Sequence, residues 1–431
     1  MNKIILVFIS ILLFSCSLNK NSKLWNKKDK TIAKIEKQKI ILGEEKKTLE
    51  ELNPLLLLDL SKIKHKNKIN NDLNNFGSLK YNGSLKKIAK YKFSKLKSFN
   101  QFYFEPLILN DGLIIFDKNG NILRYNDNQK IVWKNNFYSK TEKKLNPLLE
   151  FAIRDKNLLV VDNISNIYSI DKDTGNLIWS QKSNYPFNSK IKIYKDKFFV
   201  VNYKNVLKCF FITDGRECWE IKTDESFTVS NSKYSLIIKD NLVIFNNSIG
   251  DITAVNILSG LIEWQLPTQK SNIINEAYNF NFSKLVSDGN SIYFSNNKNE
   301  FYSVDIKSGT INWITKVSSS LTPIIIDDYI FTISDNGYFF TIQKKDGNII
   351  RVKDVYKNIK LKKRKKIKPT GFLIGQNKIY LSSSNGILIV IDLSSGNLLK
   401  TEKVSKDLIS RPFINNGNLF IVKNGSVIQY D

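Results

Sequence analysis

Histidine is almost missing from this chain: His65 is the only one. That removes Ser-His-Asp and Cys-His nucleophilic catalysis, His-ligated zinc and histidine proton shuttles from consideration. No GxxxxGK[ST] phosphate loop is present either. Arginine is nearly as scarce, six against 60 lysines, in a chain of net charge +26. Proteins that grip nucleic acid favour arginine, whose planar fork matches guanine and phosphate, so the charge does not point to nucleic acid. We read most of it as lysine and asparagine written by an AT-rich genome onto tolerant surface. Attraction to anionic lipid or an acidic partner is the other reading.

Cysteine is scarce too, and its three positions are informative. Met1-Asn2-Lys3 is a short charged start and residues 4–14 are apolar, too short for a permanent membrane span but right for a signal-peptide core. Leu13-Phe14-Ser15-Cys16 then resembles the bacterial lipobox, although Phe14 is bulkier than the usual residue there. That resemblance implies a lipoprotein signal peptide over residues 1–15, with Cys16 acylated as the first mature residue. Ser17 in place of Asp implies, by the enterobacterial sorting pattern, the periplasmic face of the outer membrane. Cys209 and Cys218 flank one hairpin in what would be an oxidising compartment. Strand alternation could set them on opposite faces, so a disulfide and two buried thiols both stay open.

What the chain has in abundance is one phrase. SIDKDTGNLIW ends at Trp179, CFFITDGRECW at Trp219, AVNILSGLIEW at Trp264 and SVDIKSGTINW at Trp313. Trp133 closes a shortened copy. Two further copies end in Arg351 and Lys400, and successive end points lie 38 to 49 residues apart. Such a period with a recurring Trp predicts an all-β propeller of four-stranded antiparallel blades. Each Trp should dock its blade on the next, Gly175, Gly215, Gly260, Gly309, Gly347 and Gly396 should shape the last turn, and Asp171, Asp305 and Asp392 should hydrogen-bond that turn. Three strands follow Lys400 without a fourth. The alternating stretch 86–93 is expected to supply it, closing an eight-bladed ring over residues 86–431. Residues 16–85 are expected to be a lipid-anchored, partly disordered linker, about 45 Å long as a coil. Within it, Leu55 to Leu60 is an apolar island suited to docking on the propeller.

The phrase resembles the repeat of the quinoprotein dehydrogenases, whose propellers hold pyrroloquinoline quinone and calcium, typically beside adjacent cysteines. No adjacent cysteines occur here. Joined to the lipobox, it more closely resembles the BamB-type outer-membrane protein assembly lipoproteins, over residues 86–431. That resemblance implies no enzyme and no cofactor, but a scaffold binding the POTRA domains of the BamA-type insertase and handling unfolded outer-membrane proteins. Its first contact loop maps to residues 223–231, where Phe227 and Val229 fit an alternating apolar pair, Ser230 replaces an expected arginine and Asn231 follows. The second maps to residues 274–282, with Glu276, Tyr278 and Phe280. A quinone-dependent dehydrogenase and a periplasmic polysaccharide-binding propeller are the competing functions. The run 362–366, KKRKK, reads as a solvated loop or a contact for anionic lipid or an acidic partner.

Overall fold

The computed structural model describes residues 50–61, 63–66, 74–96, 105–224, 233–268 and 281–431. They contain strands in sequential antiparallel sheets, with only short helices such as Lys140–Lys144 and Leu361–Arg364. Sheets 1 to 6 span Leu107–Asn135, Leu149–Lys182, Lys192–Lys222, Leu236–Leu266, Val286–Thr315 and Ile324–Asp354, four strands each. Their second strands are near-continuous apolar runs, such as NLLVVD and KFFVV, and are buried. Each lies between two neighbouring sheets, so both of its faces leave water.

The expectation of eight four-stranded blades needs correction. Seven blades have four strands; the sheet Pro369–Lys403 has six. The two-residue strands His65–Lys66 and Ser78–Leu79 add to it in parallel, Ser78 opposite Ile374 on the innermost strand. Segments this short carry no alternation to read. His65, assigned to the linker, thus belongs to a sheet, its Nδ1 2.8 Å from the Ser78 hydroxyl. The compact unit accordingly runs from Glu51 to Asp431.

The closing strand is Lys87–Lys92, which pairs antiparallel with Ser426–Tyr430 and forms the outer edge of the last sheet. The chain's final strand would otherwise present unpaired backbone groups. Asn415 Nδ2 donates to the Leu109 carbonyl at 3.2 Å, and the Tyr125 hydroxyl donates to the Lys92 carbonyl. Last sheet and first sheet are therefore joined.

Each of the five repeat tryptophans sits on the outermost strand of its sheet and donates its indole N–H to the following sheet. Trp133 reaches Lys172 O at 3.0 Å, Trp179 Ile212 at 2.9 Å, Trp219 Ile257 at 3.1 Å, Trp264 Ile306 at 2.9 Å and Trp313 Lys344 at 3.1 Å. Trp133 is buried and the other four are half-buried. Asp171 and Asp305 accept from the turn N–H groups of Thr174 and Ser308, at 2.8 and 2.9 Å. These bonds hold both carboxyls below the usual range.

Three junctions lack the indole, and at the two that flank the Pro369–Lys403 sheet the segment after Glu51 packs. Arg351 is fully buried and donates to Leu393 O at 2.9 Å, to Ser394 O and to Leu56 O at 3.1 Å. Lys400 is exposed. Leu58, Ile63, Leu79, Tyr81 and Leu85 enter the same apolar cluster as the sheets on either side. The Leu55–Leu60 island is thus docked, with Leu58 buried and Leu55 in solvent.

Cys209 and Cys218 form a disulfide with Cα atoms 5.2 Å apart, so the thiol alternative fails. The ladder slips here: Cys209 faces Trp219 and Phe210 faces Glu217. Cys218 is therefore the extra residue of a β-bulge, and the bulge turns its side chain toward Cys209.

Candidate functional site

The innermost strands line an axial chamber of about 140 Å³. Counted back from the first hairpin of each sheet, Glu105, Glu150, Lys190, Ser235, Lys284 and Arg411 occupy one equivalent position. Thr322 and Gly371 complete that level. A Cβ on Gly371 would meet the Arg411 Cβ at 2.2 Å, so the glycine makes room for the arginine. Side chains from distant repeats thereby form a single belt.

Three cations converge on the Glu105 carboxylate: Arg411 Nε at 3.0 Å, Lys284 Nζ at 3.1 Å, and Lys190. Lys233, two residues above the belt, pairs with Glu150. Loss of solvent pulls Lys233 and Lys284 down to about 7 and Arg411 to about 9; the neighbouring cations add to the effect on both lysines. Lys190 falls well below its ordinary value, first by burial and then by the charges of Lys284 and Arg411.

One end of the chamber is closed by residues 74–76. The Asn74 side chain donates to Ile238 O at 2.6 Å and accepts from its N–H at 3.3 Å. Asn75 repeats the pattern on Ile325, at 2.8 and 3.1 Å. Each carboxamide imitates one residue of an added strand, satisfying inner-edge backbone groups. Phe76 stacks under the Arg411 guanidinium, 4.7 Å from ring centre to cation.

The loops read from the sequence as contact surface connect sheet 3 to sheet 4 and sheet 4 to sheet 5. Phe227, Val229, Ser230, Asn231, Glu276 and Tyr278 lie outside the described residues, as does Cys16. The roots of both loops are described. Thr223 is buried, donates to Asn205 O at 3.2 Å and accepts from Asn247 at 3.3 Å. Asn205 also donates to Asp224 O at 2.7 Å. In the corresponding place Thr268 is buried and donates to Gly250 O at 2.8 Å. Both connections therefore leave the body from clamped threonines on either side of sheet 4. By the up-and-down strand order they share the face opposite the first hairpins.

The basic run is partly structural. Arg364 pairs with Asp354 at 2.6 Å and lies 4.8 Å over the Tyr338 ring. Among the described residues, no helix is long and apolar enough to cross a membrane.

The family model described as outer membrane protein assembly factor BamB matches residues 118–353, more than half of the chain. The chain belongs to the BamB family. Among solved structures, BamB from Moraxella catarrhalis superposes with a TM-score of 0.65 at 15% identity, covering 80% of this chain and 99% of that one. A europium-containing methanol dehydrogenase gives 0.61 at 9% identity, covering 80% and 86%. The C-terminal WD40 domain of Sif2 gives 0.58 at 14%, covering 82% and 99%. Identities this low speak for the fold alone. No curated protein sequence matches the chain.

The quinone and calcium of the dehydrogenases do not fit this BamB-family channel. Its Glu105 and Glu150 carboxylates are already engaged by four cations, which would repel a calcium ion. The disulfide joins the two outer strands of sheet 3. Sequence reasoning missed the charged belt entirely. Its one visible signal was a charged residue at a fixed distance before the first hairpin in repeats 1, 2, 3, 5 and 8.

Proposed function

We propose that this BamB-family propeller is a non-catalytic scaffold of outer-membrane β-barrel assembly, anchored through an acylated Cys16 after removal of residues 1–15. It docks on the periplasmic POTRA domains of the insertase through the two connections beside sheet 4. The observation that carries the reading is the pair of clamped roots. Thr223 and Thr268, with Asn205 and Asn247, offer fixed points from which two loops can be presented together. Loops on a rigid scaffold are the usual carriers of recognition. Phe227 and Val229 suit addition to a partner's sheet edge, with alternate side chains entering pockets. Glu276 and Tyr278 supply polar contacts from the second loop. Ser230 leaves out the charge that a family arginine would bring, so apolar pairing carries more of the affinity here.

The test is capture of the purified periplasmic domains of the insertase by immobilised protein. Phe227→Asp with Val229→Asp should weaken binding at least tenfold while leaving the near-ultraviolet circular dichroism unchanged. Equal capture by wild type and variant removes the assignment.

A further inference from the structure

The docking reading leaves the axial chamber without a role. Among the described residues, Lys190, Lys284 and Arg411 converge on one carboxylate, Glu105, an excess of two positive charges when all are protonated, and Lys192 and Lys233 line the same chamber. Arg411 is buried, and its Nη1 has no hydrogen-bond partner among the described residues. Gathering like charges out of water is unfavourable unless a counter-charge completes the set. The walls are otherwise largely apolar, with Phe151, Leu107 and Phe413 on them. Apolar walls with a few convergent polar groups are the usual make-up of a small-ligand site.

We propose that this chamber binds one small oxyanion carrying at least two negative charges, held by Lys190, Lys284 and Arg411. A volume near 140 Å³ resembles that of a cavity known to hold benzene, so a ligand of about five to ten heavy atoms fits. A tricyclic quinone or a peptide does not. The anion would share the cations now drawn onto Glu105 and meet the open Nη1 of Arg411. Because burial leaves Lys233 and Lys284 titrating at about 7, binding takes up protons, and affinity falls as pH rises through that value. Anion binding is read without the insertase, and Lys190, Lys284 and Arg411 lie outside both contact loops, so the site stands or falls separately from the scaffold reading.

The probes are sulfate and ethane-1,2-disulfonate, whose charges do not change between pH 6 and 9. Calorimetric titration of the whole chain at fixed ionic strength should show one saturable site, at least tenfold weaker at pH 8.5 than at 6.5. Proton uptake should appear as heats that depend on the buffer. Lys284→Met and, independently, Lys190→Met should each weaken binding at least tenfold with the near-ultraviolet spectrum intact. Replacing Lys362, Lys363 and Lys365 by Ser should change nothing. No saturable binding at either pH overturns the proposal. So does binding that survives both chamber variants, or that disappears with the three surface lysines, which would mark an adventitious ion only.

Discussion

Arg351 donates from Nη2 to the carbonyl of Leu393 at 2.9 Å, at the register position where Trp313 reaches Lys344 in the preceding junction. The guanidinium stands in for an indole N–H and adds what an indole lacks, further donors that reach Ser394 and Leu56. Arg351→Ala should therefore cost about 3 kcal/mol in denaturant unfolding, through lost packing and orphaned carbonyls. Arg351→Trp should recover much of the stability but not the strap. Limited proteolysis near Leu55 and Leu57, both exposed, should then be faster than in the wild type. Equal cleavage rates would refute the strap.

The turn glycine Gly215 has two duties, and Gly417, in the first hairpin of the last sheet, separates them. Gly215 and Gly417 share a φ of 73°. A Cβ on Gly215 would meet Cζ3 of Trp179 at 2.6 Å, whereas Gly417 has nothing within 4 Å. Gly417→Ala should cost about 1 kcal/mol, the left-handed backbone alone. Gly215→Ala should cost about 1–3 kcal/mol more, from overpacking. Equal costs in urea denaturation would mean that the ring contact contributes nothing.

Removing residues 86–93 exposes the edge of Ser426–Tyr430 and takes away the Lys92 carbonyl that Tyr125 uses. The truncated chain should melt at least 10 °C lower, by the loss of several ladder bonds and the burial of Ala89 and Tyr91. An unchanged melting temperature would mean that the ring closes without that strand.

Lys233 and Lys284 fix a pH dependence. Below about pH 7 the folded and unfolded chains both hold the two protons, and the folded chain carries the buried charge. Between there and 10.5, the value of a free lysine, only the unfolded chain keeps them. Stability should thus rise with pH from about 7 to about 10. Above that it should fall, because burial pushes Tyr234 up to about 12 and the unfolded tyrosine ionises first. Melting curves at pH 6, 8 and 9.5 read this directly. The variant with Lys233→Met and Lys284→Met should lose much of the rise, the remainder coming from Lys190, which burial also lowers.

The propeller was legible because its signal is periodic: a turn glycine recurs in six copies of the phrase and an indole in five, and a missing outer strand shows as an unmatched alternating stretch. The added strands of the Pro369–Lys403 sheet were not legible, since two residues cannot show alternation. Cys218 was ambiguous because a bulge of one residue inverts the face that alternation assigns. The belt of Glu105, Lys190, Lys284 and Arg411 was hidden for a different reason. Each member looks like any of 66 basic or 40 acidic residues until the hairpin register sets them at one height.

The scaffold claim is tested most directly by a photo-crosslinking amino acid placed at position 227 of the lipidated chain in its native outer membrane, followed by mass spectrometry of the adduct. The account predicts one dominant product with the periplasmic domains of the insertase, lost when the crosslinker is moved to exposed Lys400 on the outer strand of the six-stranded sheet. No adduct with the insertase from position 227, or an equal one from position 400, would contradict it.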